Sequence, residues 1–222
     1  DEGEVVRGVR TWRRVRLGDV CELNPRRPPL ARSENQPTSF LPMAAIAEAG
    51  KGIQGMIDRP FAEVRKGYTF VADGDVLFAK ITPCMQNGKH AIARGLRDGI
   101  AFASTEFHVL RPRSDAVIAE WVHSFLQAPE VLRAAESVLT GAVGQQRVPE
   151  TFLADLVLPL PPLAEQRRIA ARLTEQLAAV ERARGAAEQR LATAQRLKSA
   201  ELKAAFLDIN PLAADQDRDD PP

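Results

Sequence analysis

The spacing of hydrophobic and polar positions changes character near residue 160. Before that point, short apolar runs are separated by turn-forming residues, which is typical of a domain with a β-sheet core. The run Val76–Ala79 follows a turn at residues 73–75 and predicts a buried strand. Residues 102–110 alternate apolar and polar side chains, which predicts a strand with one buried face, and Pro112 marks its end. We therefore expect an α+β fold, in which residues 1–160 form a mixed domain built on a β-sheet.

A helical periodicity follows the second predicted strand. Ser114 or Asp115 is a candidate N-cap, and Pro129 divides the segment into two helices. The apolar positions recur every three or four residues: Ile118, Trp121, Val122, Phe125 and Leu126. A glycine-marked loop at residues 140–150 and a short final strand before residue 161 complete the predicted domain.

The segment after Pro162 predicts one long helix. Residues 163–206 contain no proline and one glycine, and strong helix formers dominate them. Pro162 suits the first helical turn, and Asn210-Pro211 is a stop signal. We assign residues 161–209 to this helix, with a rise of about 1.5 Å per residue, and residues 210–222 to a disordered, acid-rich tail.

A helix of this length is not stable on intrinsic propensity alone, so its apolar positions need a partner. A heptad spacing supplies a weak seam, in which Arg184 and Lys198 would have to snorkel or meet acidic side chains. We expect a coiled coil with another chain, and the alternative is a helix that folds back on its own domain. The predicted dimerisation residues are Leu173, Leu177, Val180, Ala187 and Leu191.

Composition excludes several classes of protein. The net charge is only +1, and no run of about 18 apolar residues could span a membrane. The charged N-terminal residues lack the apolar core of a secretory signal. Cys21 and Cys84 are far apart in sequence, so we expect reduced thiols rather than a disulfide. These features together predict a cytoplasmic protein.

The sequence offers no recognisable catalytic constellation. His90, His108 and His123 have no second ligand at metal spacing, so ordinary core or surface roles are favoured and we predict no metal. No serine lies in a nucleophile elbow, and the loop at residues 141–146 lacks the Gly-Lys-Ser/Thr ending of a phosphate-binding loop. We therefore predict a non-catalytic binding protein that holds no cofactor.

Two polar loops carry side chains suited to nucleic acid. Asparagine and glutamine can bind adenine, arginine and lysine can bind guanine, and all of them can bind phosphates. Taken alone, each loop is weak evidence, because polar turns are usually just solvated. Arginines also crowd the N-terminal part of the chain, at Arg7, Arg10, Arg13, Arg14, Arg16, Arg26 and Arg27. The predicted DNA-binding residues are Lys80, Thr82, Gln86, Asn87 and Lys89 in the first loop, and Gln145, Gln146 and Arg147 in the second.

The stretch LPLPPLAEQRRIA at residues 158–170 resembles the signature that closes each half of the DNA-specificity subunit of type I restriction–modification systems. WRRVRLGDVCELNPRR, GDVLFAKITPCMQNGKHAIA, FASTEFHVLRP and GAVGQQRVPETFLADLVLPLPP resemble further family segments in the family's order, so the resemblance spans residues 11–208. Within the matching motifs, we expect Glu165, Gln166 and Arg167 to fix the start of the helix. A structural role at a strand end is favoured for Thr105 and Glu106.

The resemblance implies a role and a set of partners. Family members usually carry two recognition domains and two such helices, so this chain corresponds to a half subunit that could dimerise and recognise an inverted repeat in double-stranded DNA. Methyltransferase subunits would bind AdoMet, and a translocating nuclease subunit would use ATP and Mg²⁺. The alternatives are a coiled-coil adaptor without DNA specificity, or a specificity subunit of a fused methyltransferase–nuclease system.

Overall fold

The computed structural model describes residues 5–6, 9–10, 12–142 and 144–209, with side chains from 12–142 and 144–206. The chain divides into two compact units, Asp1–Ala170 and Ala171–Pro222. The predicted tail at 210–222, the stop signal at its start and Arg7 lie outside the described residues. The strands are β1 (Val5–Val6), β2 (Val9–Arg10), β3 (Arg13–Arg16), β4 (Cys21–Leu23), β5 (Pro37–Leu41), β6 (Ile57–Pro60), β7 (Thr69–Ala72), β8 (Val76–Ala79), β9 (His90–Ile92), β10 (Ile100–Ala103), β11 (Phe107–Pro112) and β12 (Val157–Leu160).

Helices occupy the spaces between these strands and the end of the chain. Two short 3₁₀ turns at Met43–Ala45 and Arg97–Gly99 also occur. The α-helices are α1 (Leu17–Val20), α2 (Phe61–Val64), α3 (Ala119–Leu126), α4 (Pro129–Ser137), α5 (Glu150–Asp155) and α6 (Leu163–Ile209). The long helix, the strand β8 and the division of α3 from α4 at Pro129 confirm the sequence predictions.

Two four-stranded sheets form the frame of the first unit. Sheet I has the order β6-β5-β10-β7, with β5 and β10 parallel and the other neighbours antiparallel. Sheet II is antiparallel throughout, with the order β4-β11-β8-β9. A two-stranded antiparallel pair, β3 with β12, brings the start of the unit next to the strand that precedes α6.

Both sheets bury two faces. One face of sheet I carries Phe40, Phe70 and Phe102, which pack with Phe61 and Val64 of α2. The other face packs against sheet II through small and branched side chains. The far face of sheet II packs on α1 and α3–α5. Because the inner strands β8, β10 and β11 are covered on both sides, their apolar runs are nearly continuous rather than alternating.

Two sequence predictions are wrong. The single strand expected at residues 102–110 is two strands, β10 in sheet I and β11 in sheet II, and the turn at 104–106 joins them. Its expected single buried face is also absent, because both faces of both strands are covered. The N-cap of α3 is Ile118, not Ser114 or Asp115, because residues 113–117 first form a turn of their own.

The described residues contain no helix that is both long and apolar enough to cross a membrane. Cys21 and Cys84 are free thiols in this structure, as the sequence predicts. Burial raises the pKa of the Cys21 thiol to about 12, so this buried sulfur stays protonated.

Candidate nucleic-acid interface

The two loops that the sequence singles out lie side by side. The backbone N–H of Thr82 donates to the Gln146 carbonyl at 3.0 Å, and the N–H of Val148 donates to the Lys80 carbonyl at 2.9 Å. Isolated bridges also join Arg147 to Ile81 and to Thr140. The loops at 80–89 and 140–148 are therefore one continuous surface, although some sixty residues separate them in sequence.

The turn at 104–106 joins this surface as its third part. The Lys80 N–H donates to the Glu106 carbonyl at 2.9 Å, which fixes the turn beside the end of β8. The Arg147 guanidinium donates to both oxygens of the Glu106 carboxylate, at 2.8 and 2.9 Å. We call residues 80–89, 104–106, 140–142 and 144–148 together the three-loop face.

The ion pair between Glu106 and Arg147 sets the charge state of this face. The hydrogen bonds from Arg147, with its charge and that of Lys80, hold the pKa of Glu106 below its usual value against the opposing effect of burial. The same hydrogen bonds and the carboxylate charge raise the pKa of Arg147. Glu106 thus has the structural role that the sequence favours, and Arg147 is a guanidinium held in a fixed orientation. Its third contact, from Nη1 to the Gln145 carbonyl at 3.0 Å, shapes the tip of the 140–148 loop.

The far end of the 80–89 loop is anchored to residues 46–50. Lys89 donates from Nζ to the Ile46 carbonyl at 2.9 Å, and Asn87 donates from Nδ2 to Glu48 at 2.9 Å. These two side chains therefore have local structural partners. Gln86 and Gln145 are exposed, and neither side chain forms a hydrogen bond with the described residues, so both are free to contact a ligand.

A polar cluster around one buried histidine, which the sequence did not indicate, is hydrogen-bonded to the end of the 140–148 loop. His108 is buried, and its Nε2 donates to the Val148 carbonyl at 2.8 Å. Burial lowers the pKa of His108, so its ring is neutral and its Nδ1 can accept from Asn24 Nδ2 at 3.3 Å. Asn24 also accepts from the Val109 N–H at 3.0 Å and donates to Glu150 at 2.6 Å. The sequence offered only His108 within the apolar run of β11. From a single sequence, this histidine cannot be distinguished from an ordinary core histidine.

The start of α6 is held by Gln166, as the sequence predicts for the signature. Its fully buried amide accepts from the Ile118 N–H at 3.0 Å and donates to the carbonyls of Ala116 and Pro161 at 3.0 and 2.8 Å. Glu165 pairs with Arg168 one turn along the helix, and Arg167 is exposed. One side chain therefore forms hydrogen bonds with backbone groups of the turn before α3, of the N-terminus of α3 and of the proline pair.

The predicted dimerisation residues lie on α6 in the second unit. From Ala171 to Phe206 every residue except Gly185 is exposed. The large apolar side chains exposed on this stretch are Leu173, Leu177, Val180, Leu191, Leu197, Leu202 and Phe206. Ala187 is also exposed and lies between Val180 and Leu191 in the predicted heptad.

The described residues offer no metal centre. No group of three or more histidine, cysteine, aspartate or glutamate side chains in that part of the chain could hold a metal ion. His90 and His123 lie 5.3 Å apart, ring centre to ring centre, but they pack edge to face within the unit, and burial lowers the pKa of each.

Comparison with known proteins now adds to this geometry. Residues 10–186 match the family described as the type I restriction modification DNA specificity domain. The chain is 39% identical over 164 residues to the specificity subunit of the Escherichia coli type I restriction enzyme EcoAI, and 37% identical over 158 residues to that of EcoEI from the same organism. These matches cover 74% and 71% of this chain but 28% and 26% of the relatives, so the chain spans about a quarter of their length.

Two solved structures share the fold. The HsdS subunit from Thermoanaerobacter tengcongensis matches with a TM-score of 0.62 at 23% identity, over 89% of this chain and 49% of that one. A structure concerning complex assembly and conformational transition of the type I R-M system matches with a TM-score of 0.62 at 22% identity, over 96% and 52%. The family match covers well over half of the sequence, and the two curated relatives are more than 30% identical over more than two thirds of it. The chain therefore belongs to the type I restriction modification DNA specificity domain family.

Proposed function

We propose that this chain is a non-catalytic DNA-recognition half subunit of a type I restriction–modification system. It directs methyltransferase subunits, and a nuclease subunit where present, to a bipartite site in double-stranded DNA. The observation that carries this proposal is the three-loop face, where loops that carry Lys80, Gln86, Gln145 and Arg147 are hydrogen-bonded to each other in a chain of the specificity family. Side chains of these types contact both phosphates and base edges.

The long helix supports the bipartite part of the proposal. The 47 residues of α6 extend over about 70 Å, which is about two turns of DNA, so the helix is long enough to separate two half-sites. Its exposed leucines need a partner, because a helix of modest intrinsic stability depends on packing. A second copy of this chain supplies an identical stripe, and two-fold symmetry then makes the recognised site an inverted repeat.

The proposal assigns the chemistry to other subunits. The methyltransferase subunits bind AdoMet, and a nuclease subunit uses ATP and Mg²⁺. Family membership and the names of the curated relatives support this division of labour. This chain contributes the choice of DNA sequence.

Mapping modified bases tests the proposal directly. The chain is expressed with a methyltransferase subunit of a type I system in a host that lacks DNA methylation, and modified bases are located across the genome. A variant in which Gln86 and Gln145 are both replaced by alanine tests the role of the three-loop face, since both side chains are exposed. We expect a split palindromic motif with the unaltered chain and an altered or lost motif with the variant.

The other outcomes separate the alternatives. A split but asymmetric motif means that an unlike half subunit is the partner and contradicts the homodimer. A third outcome is that no motif appears although a folded methyltransferase is present, and that the purified complex lacks salt-dependent DNA binding. The proposed DNA recognition is then wrong, and the coiled-coil adaptor is favoured.

A further inference from the structure

A second basic surface lies at the same end of the first unit as the three-loop face. Strand β7 begins at Thr69, which pairs with Ala103 at the end of β10, so Tyr68 lies beside the turn at 104–106. The Ser104 N–H donates to the carbonyl of Leu41, which ends β5 at the same edge. The loop at 65–68, between α2 and β7, is therefore a neighbour of the turn that holds Glu106.

The residues after β4 reach the same place from sheet II. Leu23 pairs with Leu110, and the Asn24 N–H donates to the Val109 carbonyl at 2.7 Å, so the chain runs antiparallel to β11 toward the first residue of that strand. Arg27 then donates to the Arg65 carbonyl and lies over the Phe102 ring at 5.9 Å. These contacts join residues 26–27 to the 65–68 loop, and we call the two segments the basic rim.

The basic rim presents positive charge that the described acids do not neutralise. Arg26 and Lys66 are exposed, and neither forms an ion pair with any acidic side chain in the described part of the chain. Glu34 is engaged by Arg65 at 3.1 Å. An exposed pair of uncompensated cations attracts a polyanion and imposes no geometry that would distinguish bases.

Tyr68 gives this surface a fixed hydroxyl donor. Its ring packs edge-on against Phe40 with 4.7 Å between centroids, while 38% of the residue remains exposed. Arg59 lies over the same Phe40 ring, 4.8 Å from its centre. Gly67 has φ of +78°, which lets the chain turn between Lys66 and Tyr68 so that the two side chains follow each other closely. A tyrosine held in this way commonly binds a phosphate oxygen.

We propose that the basic rim binds the DNA backbone next to the half-site that the three-loop face contacts. Arg26 and Lys66 each neutralise one phosphate, and the Tyr68 hydroxyl donates to a third backbone group. This inference rests on the proposed function, because it extends the same DNA-binding surface. It assigns the basic rim to affinity and register, and leaves the choice of bases to the three-loop face.

The test measures binding of duplex DNA by the complex of this chain with its methyltransferase, between 0.05 and 0.5 M NaCl. One duplex carries the mapped motif and a second carries a scrambled sequence. Lys66→Ala and Arg26→Ala should each reduce the steepness of log K against log salt by about 0.9. Over the tenfold salt range of the titration, the change in affinity is then about eightfold smaller than in the unaltered chain. The reduction should be the same on both duplexes. Tyr68→Phe should weaken both by roughly two- to tenfold without a change in slope.

The matched control is Arg133→Ala, which also removes one exposed positive charge but from α4, where Arg133 pairs with Glu130. Its slope should equal that of the unaltered chain. If Lys66→Ala and Arg26→Ala keep the full slope while the unaltered complex binds DNA normally, the basic rim does not bind DNA phosphates. The proposed function is then unaffected. Loss of affinity on the motif duplex alone also contradicts a backbone-binding role for the basic rim, because it would indicate base contacts. If the unaltered complex shows no salt-dependent binding, the proposed function fails and the rim fails with it.

Discussion

The Glu106 carboxylate has two consequences for the side chain it binds. It orients Arg147 through two hydrogen bonds at 2.8 and 2.9 Å, and it offsets the positive charge that a phosphate would meet. The pair is partly exposed, with 41% of the Arg147 side chain open to solvent, so a phosphate oxygen can approach the guanidinium without breaking both bonds. Arg147 is thus already oriented to bind an anion, but the charge of Glu106 weakens that binding.

Two substitutions separate these effects. Arg147→Ala should weaken binding to motif and scrambled DNA alike and reduce the salt slope by about 1. Glu106→Gln keeps an acceptor for the guanidinium but removes the negative charge, so binding at low salt should strengthen on both duplexes. Titration by fluorescence anisotropy measures both. If Arg147→Ala weakens only the motif duplex, its predicted phosphate role is wrong.

Buried histidines set the response of the first unit to acid. Burial lowers the pKa of His90 to about 3, and His108 and His123 are shifted in the same direction by burial. An unfolded histidine takes up its proton near pH 6.5. Since the unfolded chain then binds more protons than the folded one, the histidines stabilise the fold above pH 6.5, and this contribution is lost as the pH falls toward 3.

His90 provides the clearest test of this loss. Its Nε2 has no hydrogen-bond partner, so His90→Leu removes a buried polar atom without breaking a contact at that atom. We expect the free energy of unfolding to fall by up to about 1.4 kcal/mol per pH unit per histidine below pH 6.5 in the unaltered chain. Urea unfolding at pH 7.5 and 5.0 should show a smaller fall for His90→Leu. An equal fall in both proteins would mean that His90 is not responsible.

Among the structural elements, the junction between α3 and α6 depends on one amide. Gln166 is the acceptor for the Ile118 N–H and the donor to two carbonyls, and it is fully buried. The N-cap of α3 is Ile118, which has no capping side chain, and Gln166 accepts the N–H of this N-cap residue from 48 residues away. A hydrogen bond from the signature to a distant helix explains why the motif combines a proline pair with a glutamine.

Gln166→Leu should therefore destabilise the first unit. The substitution leaves one N–H and two carbonyls without their partner, and each such group costs about 1–3 kcal/mol when buried, so we expect a total loss of about 3–9 kcal/mol. Urea unfolding followed by tryptophan fluorescence measures it, because Trp12 and Trp121 pack together in this unit. Arg167→Leu, at the exposed next position, should change stability by less than about 0.5 kcal/mol. Equal effects of the two substitutions would contradict this role for Gln166.

Local signals were predictable from the sequence, and contacts between distant segments were not. Pro129 and the proline pair mark element boundaries because proline restricts its own backbone and that of its neighbour. The break between β10 and β11 contains no glycine or proline, and the polar residues 104–106 fit an exposed strand face as well as a turn, so the sequence alone did not reveal it. The pair of Glu106 and Arg147 spans 41 residues, and only the fold brings its members together. The sequence supplied the candidate loops, and tertiary structure supplied their adjacency.

The exposed apolar positions of α6 extend beyond the predicted heptad. A heptad continued past Lys198 would reach Glu201 and Ala205, whereas the exposed apolar residues are Leu202 and Phe206. Val180, Leu191 and Leu202 are instead spaced by 11 residues, close to three turns of a straight helix. The stripe on α6 therefore suits partners that pack with little left-handed supercoil.

Matched leucines on α6 test this stripe. Leu191 and Leu197 are equally exposed, at 60% and 61%, but lie about 120° apart around the helix. Leu191→Glu and Leu202→Glu should give monomers in light scattering, because a charge in a helix seam is costly. Leu197→Glu should leave the dimer intact. If the dimer survives Leu191→Glu, Leu191 does not lie in the dimer interface, and both the stripe and the heptad are contradicted. If it survives Leu202→Glu but not Leu191→Glu, the interface follows the predicted heptad rather than the 11-residue stripe.

At the scale of the whole molecule, the proposed half subunit divides recognition between one binding unit and one helix. The chain spans about a quarter of the length of its curated relatives. Two copies joined through α6 would place two identical three-loop faces on one DNA molecule. Binding of the second face is then an intramolecular event with a high effective concentration, so the assembly gains affinity without any new contact to DNA.

This gain is measurable by comparing DNA that carries two half-sites with DNA that carries one. For the unaltered chain in complex with methyltransferase, we expect the two-site duplex to bind 10²- to 10⁴-fold more tightly, at fixed salt. Leu191→Glu should reduce this ratio to about 2, the statistical value for two independent sites, while leaving one-site affinity unchanged because Leu191 belongs to α6 and not to the three-loop face. Leu197→Glu is the control that should keep the full ratio. If Leu191→Glu yields a monomer whose ratio is still high, the methyltransferase rather than α6 holds the two binding units together.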